Sequence, residues 1–259
     1  MVDSLDGKRT VPQIEFIAGD GPMALVFRHL EPLGEADLGR LRDFAIASGF
    51  AVLLQPGGVE SVQPLHPASP AFHFSLPGHG LDLAFRPLDF IQVNAGLNQR
   101  MIARTLELLD PQPHERVLDL FCGLGNFTLP LGRHAGQVVG VEGDAGLVAR
   151  ARENATANGM ANVEFHAADL SKDLSAEPWM RAGFDKLLLD PPRAGAAEVI
   201  AQLPLKGIGR IVYVSCHPAS LARDAGFLVR ERGYRLVSAG AMDMFPQTAH
   251  VESIAVFER

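Results

Sequence analysis

The chain has 259 residues, a formal net charge of −7, 47% hydrophobic residues and two cysteines. That length supports one large domain or two smaller ones, and the composition excludes a disordered tail, a collagen-like repeat and a disulfide-stapled mini-protein. No apolar run approaches the ~20 residues of a membrane helix; the opening residues lack a signal-peptide pattern, so a reduced cytoplasmic compartment is expected, with thiol chemistry at Cys122 or Cys216. Residues 1–90 hold short apolar runs at 14–18, 23–27 and 50–54 and a helical stretch at 35–48, followed by a hairpin near 73–85. Pro and Gly clusters, including the segment from Pro64 to Pro77, separate them. This is a small α+β region.

From residue 91 the period lengthens. A helix is expected at 97–109, then strand 116–121, a glycine turn and a helix, strand 137–142, helix 146–158 and strand 163–168. Strands 184–190 and 210–215 and helix 219–232 follow, and strands 235–241 and 252–257 close the chain. Alternation of strand and helix predicts a parallel doubly wound sheet, and two closing strands with no helix between them predict a terminal antiparallel hairpin. The expected domains are therefore 1–90 and 91–259.

In such a sheet, ligands sit outside the carboxyl ends of the strands. The first strand of the larger domain runs into Gly123-Leu-Gly125, where glycines let a ligand approach the backbone. The next ends at Glu142, 19 residues beyond Gly123, placed to accept hydrogen bonds from ribose hydroxyls. The third leads to Asp169, a candidate acceptor for an adenine amino group. Alone, each acid would more often be a solvated strand end. The dinucleotide pattern G-x-G-x-x-G fails because Thr128 stands where the third glycine belongs. A cofactor with ribose and adenine but no pyrophosphate fits better, which is S-adenosylmethionine.

Two further strand ends carry reactive groups. After the fourth strand, Asp190-Pro-Pro-Arg193 forms a rigid extended turn that holds Asp190 at the sheet's edge. It also resembles the motif with which amino-group methyltransferases grip a planar base. The fifth ends Ser215-Cys-His217-Pro218, putting Cys216 at a helix N-terminus, where thiolate is favoured. A lone cysteine is usually a small core residue, and Cys122 is read so. Arg100, Arg104, Arg193 and Arg223 are candidate phosphate contacts. Charge is uneven: residues 1–90 hold six Lys/Arg against eleven Asp/Glu, residues 201–259 seven against five. A polyanion would prefer the C-terminal third.

Several segments together resemble the RNA (uracil-5-)-methyltransferase family, most of all its members acting on 23S ribosomal RNA. They are Asp-Phe-Ile-Gln at 89–92, Asp-Leu-Phe-Cys-Gly-Leu-Gly-Asn-Phe at 119–127 and Asp-Pro-Pro-Arg at 190–193. Ser-Cys-His-Pro at 215–218, Met-Asp-Met-Phe-Pro at 242–246 and His-Val-Glu-Ser at 250–253 complete the set. The resemblance implies an α/β protein with a Rossmann-like class I S-adenosylmethionine-dependent methyltransferase sheet and a smaller N-terminal α+β region. It implies cofactor contacts at Gln92, Phe121, Gly123, Asn126, Glu142, Asp169 and Asp190, and substrate contacts at Asp190, Arg193 and His217. Cys216 would be the nucleophile and Glu252 the general base. C5 of uracil is a poor nucleophile until a thiolate adds at C6, so the chemistry itself asks for such a pair. The implied partner is a single-stranded or flipped-out uridine in 23S ribosomal RNA, met by a monomer with no membrane association. Competing readings are a transfer RNA uracil-5-methyltransferase and a catalytically weak fragment that only binds S-adenosylmethionine or RNA.

Three departures stand out. Position 217 is His where the family usually reads Asn, and 247–249 read Gln-Thr-Ala where it usually reads His-Thr-Gly. Family members of the 23S class carry an N-terminal RNA-binding barrel and a four-cysteine iron–sulfur cluster. Two cysteines cannot ligate that cluster, so a chain lacking those elements is expected.

Overall fold

Gly34 leads into helix α1 (Glu35–Ser48), which Gly49 ends in the left-handed conformation at φ 75°. The helix connects β2 (Ala24–Arg28) to β3 (Ala51–Gln55), which pair in parallel as a βαβ unit requires. Strands β1 (Gln13–Ile17) and β4 (Gln63–His66) add to the two sides in antiparallel sense, giving the order β1-β2-β3-β4. Leu41 and Ala45 of α1 pack with Phe27, Val52 and Leu54 in one core. β5 (Phe72–Leu76) and β6 (Leu81–Phe85) form a separate two-stranded sheet. Strand β4 corrects the sequence reading, which took Pro64–Pro77 as a separator. Pro64 fits there because β4 is an edge strand, where a missing N–H is tolerated.

The computed structural model describes every residue from 1 to 259 except Phe245 and Ala249. Its contacts divide the chain into two units, residues 1–75 with 82–93 and residues 76–81 with 94–259. Among the described residues no helix is long and apolar enough to cross a membrane.

The second unit opens with α2 (Ala95–Leu109), capped by Asn94, whose side chain accepts from the Leu97 N–H at 3.1 Å. Next come β7 (Arg116–Leu120), α3 (Thr128–Gly132), β8 (Gln137–Glu142), α4 (Ala145–Ala157) and β9 (Val163–Ala167). They are followed by β10 (Lys186–Leu189), α5 (Ala197–Gln202), β11 (Arg210–Ser215) and α6 (Pro218–Arg230). β12 (Arg235–Met242) and β13 (Glu252–Glu258) end the chain. The seven-stranded sheet has the order β12-β13-β11-β10-β7-β8-β9. Its five central and right-hand strands are parallel, and β13 runs antiparallel to both neighbours. Leu118, Leu120, Leu187, Leu189, Ile211 and Tyr213 are all buried, as the continuous apolar runs of doubly covered parallel strands require.

The two closing strands do pair as an antiparallel hairpin. The pattern alone did not anticipate that β13 inserts between β11 and β12, leaving β12 on the edge. Helix α5 was also unforeseen, and β10 is shorter than the expected strand 184–190.

Candidate active site

The turn after β7 is tight. Phe121, Gly123 and Gly125 all have positive φ, and a Cβ on Gly125 would lie 3.2 Å from the Leu129 side chain. Beneath the turn Asp119 is wholly buried; its Oδ2 accepts from the Thr128 hydroxyl at 2.6 Å, and Oδ1 has no partner among the described residues. Burial, opposed by that hydrogen bond and reinforced by the charge of Glu142, pushes the Asp119 carboxyl up to about 7. Thr128, the residue that broke the dinucleotide pattern, is therefore the partner of a buried acid.

Glu142 closes the turn from the end of β8. Its Oε2 accepts from the Gly123 N–H and its Oε1 from the Asp144 N–H, each at 3.1 Å. Asp169, just beyond β9, is exposed, and its Oδ1 accepts from the Ser171 hydroxyl at 2.6 Å and backbone N–H at 3.0 Å. Those two bonds hold the Asp169 carboxyl below the usual range. Phe121, Glu142 and Asp169 line a cleft of about 370 Å³, whose other wall is Pro192 and the segment 194–196. Asn126 lies elsewhere in its contacts: its side-chain amide is paired reciprocally with Asn98 of α2, at 2.9 and 3.0 Å. Gln92 belongs to the first unit.

The 194–196 wall is braced from below. Asp224, wholly buried on α6, accepts at Oδ2 from the Tyr213 hydroxyl and the Ala196 N–H, both at 2.7 Å. Its Oδ1 accepts from the Arg223 Nε at 2.8 Å, and the Arg223 guanidinium also donates to the Ala194 carbonyl at 2.8 Å. Gly195, at φ 87°, fits there because a Cβ would stand 2.6 Å from the Asp224 carboxylate. Arg223, expected as a phosphate contact, is instead committed to this brace. Arg104 is likewise paired, with Glu107 at 2.7 Å, while Arg100 and Arg193 are exposed.

Cys216 follows β11 directly. In the ladder Ser215 faces Ser253, so the next positions outward along the two antiparallel strands are Cys216 and Glu252. Glu252 is buried, and burial pushes its carboxyl up. Asp190, half-buried at the end of β10, is pushed up to about 8 by burial and then by the charges of Glu252 and Asp119. The half-buried Cys216 thiol is raised by burial, Glu252 and Asp190, against a smaller lowering by Arg193. The expectation that the helix would favour thiolate is thus overturned: desolvation and two carboxylates outweigh a helix end. Cys122 is buried against Gly140 and its thiol is raised well above the ordinary range, as suits a packing residue.

His217 is the N-cap of α6. Its Nδ1 accepts from the Ser220 N–H at 3.3 Å, and Pro218 occupies the first helical position. A side chain with a hydrogen-bond acceptor near Cβ is what this position needs, which accounts for a histidine where Asn would also serve. In the segment 242–249, Phe245 and Ala249 lie outside the described residues.

Asp119, Asn98 and Asp224 were missed as site residues. Asn98 and Asp224 each carry a signal, being polar residues on the buried face of an amphipathic helix.

Residues 75–259 match the family described as tRNA (Uracil-5-)-methyltransferase. The chain belongs to that family. It is 67% identical over 259 residues to the 23S rRNA (uracil(1939)-C(5))-methyltransferase RlmD of Xanthomonas axonopodis pv. citri (strain 306). It is 66% identical over 258 residues to the protein of the same name from Stenotrophomonas maltophilia (strain K279a). All of this chain aligns in both cases, and it spans 58% of each relative's length. The crystal structure of Pyrococcus abyssi tRNA (uracil-54, C5)-methyltransferase, in complex with S-adenosyl-L-homocysteine, superposes with a TM-score of 0.73 at 24% identity. That match covers 94% of this chain and 59% of the other, and the likeness is one of fold. The sheet of the second unit is accordingly a Rossmann-like methyltransferase sheet, as the motifs implied.

Proposed function

We propose that this chain transfers a methyl group from S-adenosylmethionine to C5 of a uridine in 23S ribosomal RNA. Cys216 would bond covalently to C6 and Glu252 would serve as general base. The observation that carries the reading is the strand register, which sets Cys216 and Glu252 at facing positions at the ligand end of the sheet. Identity of 67% to a 23S ribosomal RNA enzyme supports that substrate over transfer RNA.

The donors of the cleft fit the cofactor. Glu142 spends one lone pair of each oxygen on backbone N–H groups and keeps others for the two ribose hydroxyls. Asp169, anchored through Oδ1 by Ser171, would take the adenine amino group, with Phe121 as an apolar wall. Gly123, Asn126 and Asp190 complete the proposed set. When bound, S-adenosylmethionine supplies an electrophilic methyl group.

The chain's own residues prepare the acceptor. Cys216 loses its proton and adds to C6, which moves negative charge onto C5 and O4 of the uracil ring. Arg193, whose charge acts on the Cys216 thiol, and His217, its neighbour in sequence, would meet the oxygen or phosphate of the nucleotide. Once C5 carries the methyl group, Glu252 takes the C5 proton. The C6–sulfur bond then breaks, releasing Cys216 and restoring the ring. A carboxyl raised by burial suits that transfer, because its basicity moves toward the working pH. The target uridine must be unstacked to reach such a pocket, at a cost of a few kcal/mol, about the price of one base flip.

RNA carrying 5-fluorouridine tests the covalent step, because fluorine at C5 cannot be removed as a proton is. With S-adenosylmethionine present, the native chain should form a denaturant-stable adduct with the RNA and Cys216→Ala should form none. Methyl transfer surviving in Cys216→Ala would sink the mechanism.

A further inference from the structure

The glycine turn after β7 is fastened through its backbone. The Gly123 N–H donates to Glu142 at 3.1 Å, and the Gly125 N–H to the Cys122 carbonyl at 3.0 Å. The Leu124 carbonyl accepts from the Asn154 side chain of α4 at 3.2 Å. None of these bonds reaches the side chain of Asn126, which is half-buried beside them. The last torsion of an asparagine is broad, so an unheld amide would offer its donors and acceptor over a wide arc. Asn98 removes that freedom. It lies one turn into α2 and is 3% exposed. Its Nδ2 donates to Asn126 Oδ1 at 2.9 Å, and its Oδ1 accepts from Asn126 Nδ2 at 3.0 Å. Two such bonds between planar groups fix both amides in one plane. They engage only half of the Asn126 amide: of two N–H donors and two lone pairs, one of each stays available. Asn98 shares the buried face of α2 with Met101, Ile102 and Thr105, where burying an amide is unfavourable without partners.

We propose that Asn98 is a positioning residue for cofactor binding. It holds the Asn126 amide in the plane from which its remaining N–H and lone pair meet S-adenosylmethionine. The inference rests on the reading of Asn126 as a cofactor contact and extends it one residue inward. Asn98 is too enclosed to touch a ligand, so its contribution passes through Asn126. The gain is preorganisation: the amide is already oriented before the ligand arrives, and binding does not have to order it. The backbone of the turn has its own anchors in Glu142, Asn154 and Cys122, so loss of Asn98 should free the side chain and leave the turn in place.

The test is a four-member cycle on the full chain, with S-adenosylhomocysteine affinity measured by calorimetry in the native chain, Asn98→Leu, Asn126→Ala and the double variant. Leucine has the branching of asparagine and suits the apolar face of α2. Asn98→Ala, which leaves space where leucine fills it, is run in parallel and should give the same cycle. Replacing Asn98 alone should weaken the ligand about three- to tenfold, the reach of one hydrogen bond that is no longer prepared. In the Asn126→Ala background the same replacement should change affinity by less than about twofold, because the amide it positions is gone. An equal loss in both backgrounds would mean that Asn98 merely supports the helix or the turn, and would overturn the proposal. So would native affinity in both Asn98 variants, or in Asn126→Ala. Formation of 5-methyluridine by the native chain is measured alongside. Its absence with the cycle as expected would strike the methyltransferase reading and leave the positioning role standing. Failure of the native chain to bind S-adenosylhomocysteine would strike both.

Discussion

The thiol of Cys216 stands where two influences oppose each other. A helix begins two residues on, yet burial, and after it the charges of Glu252 and Asp190, outweigh it and favour the protonated thiol in the free chain. Under the proposed mechanism this arrangement would guard a half-buried cysteine from adventitious reaction and leave its activation to the arrival of substrate. It also separates two roles of Glu252 that a loss of activity alone would merge. Glu252→Gln removes one of the two charges that, after burial, raise the thiol, so Cys216 should titrate at lower pH and be alkylated faster by iodoacetamide near neutrality. Cys122 is buried and should not compete. The same variant should lose methyl transfer by about 10²–10⁴-fold, the range for removing a general base. An alkylation profile that does not move would show that Glu252 has no hold on the thiol. The proposed mechanism needs both the thiolate and the base form of Glu252 in the native chain, so the rate should climb with pH through neutrality.

At the scale of elements, the site depends on which strand lies beside which. Placing β13 between β11 and β12 is what puts Glu252 next to Cys216, and a hairpin ordered the other way would leave them a strand apart. The loop after β10 depends on α6 in the same way, through one buried carboxylate. Asp224→Ala would strand the Tyr213 hydroxyl and the Ala196 N–H without partners, at about 1–3 kcal/mol each. Urea unfolding should therefore show a loss of roughly 2–5 kcal/mol, and S-adenosylhomocysteine should bind more weakly because the 194–196 wall loosens. Tyr213→Phe, which removes one of the two donors, should cost only about 1 kcal/mol and spare the ligand. Equal ligand affinity in the native chain and Asp224→Ala would show that the brace does not shape the cleft. These dependencies mark what the sequence could disclose. Glu142 and Asp169 were legible because each ends an apolar strand, and strand ends are where ligands gather. The neighbourhood of Glu252 was not, since strand order is a long-range choice that leaves no local period. Thr128 was read only as a glycine that is missing, because its bond to Asp119 joins a strand to the helix after the turn. Arg223 was read as a phosphate contact because its partner Asp224 is adjacent in sequence yet faces inward.

The whole molecule carries the energetic signature of these buried acids. Asp119 and Asp190 are raised to about 7 and about 8, so in the folded state they hold protons that the unfolded chain releases near pH 4. Where the folded state binds more protons, stability falls as pH rises, here from about pH 4 up to the folded values. Glu252, also raised, acts in the same direction. His79 works the other way, its ring held low by burial, then by His134 and Arg133. One histidine does not offset three carboxyls. Asp20 and Asp169, whose carboxyls are lowered by hydrogen bonds from Ser75 and Ser171, lose their contribution only when the pH drops below the ordinary aspartate range. The two trends leave maximum stability on the acid side of neutrality. Urea midpoints measured across pH 5 to 8.5 should decline steadily. Asp190→Asn, which removes the proton but keeps the shape, should make that decline shallower all the way to about pH 8, and Asp119→Asn only up to about pH 7. A native profile that is level or rising over this range would mean that neither acid is buried in its charged cost as the fold implies. A decline that persists unchanged in both variants would assign it to other groups. S-adenosylhomocysteine, expected to bind only the folded chain, should at saturation raise every midpoint.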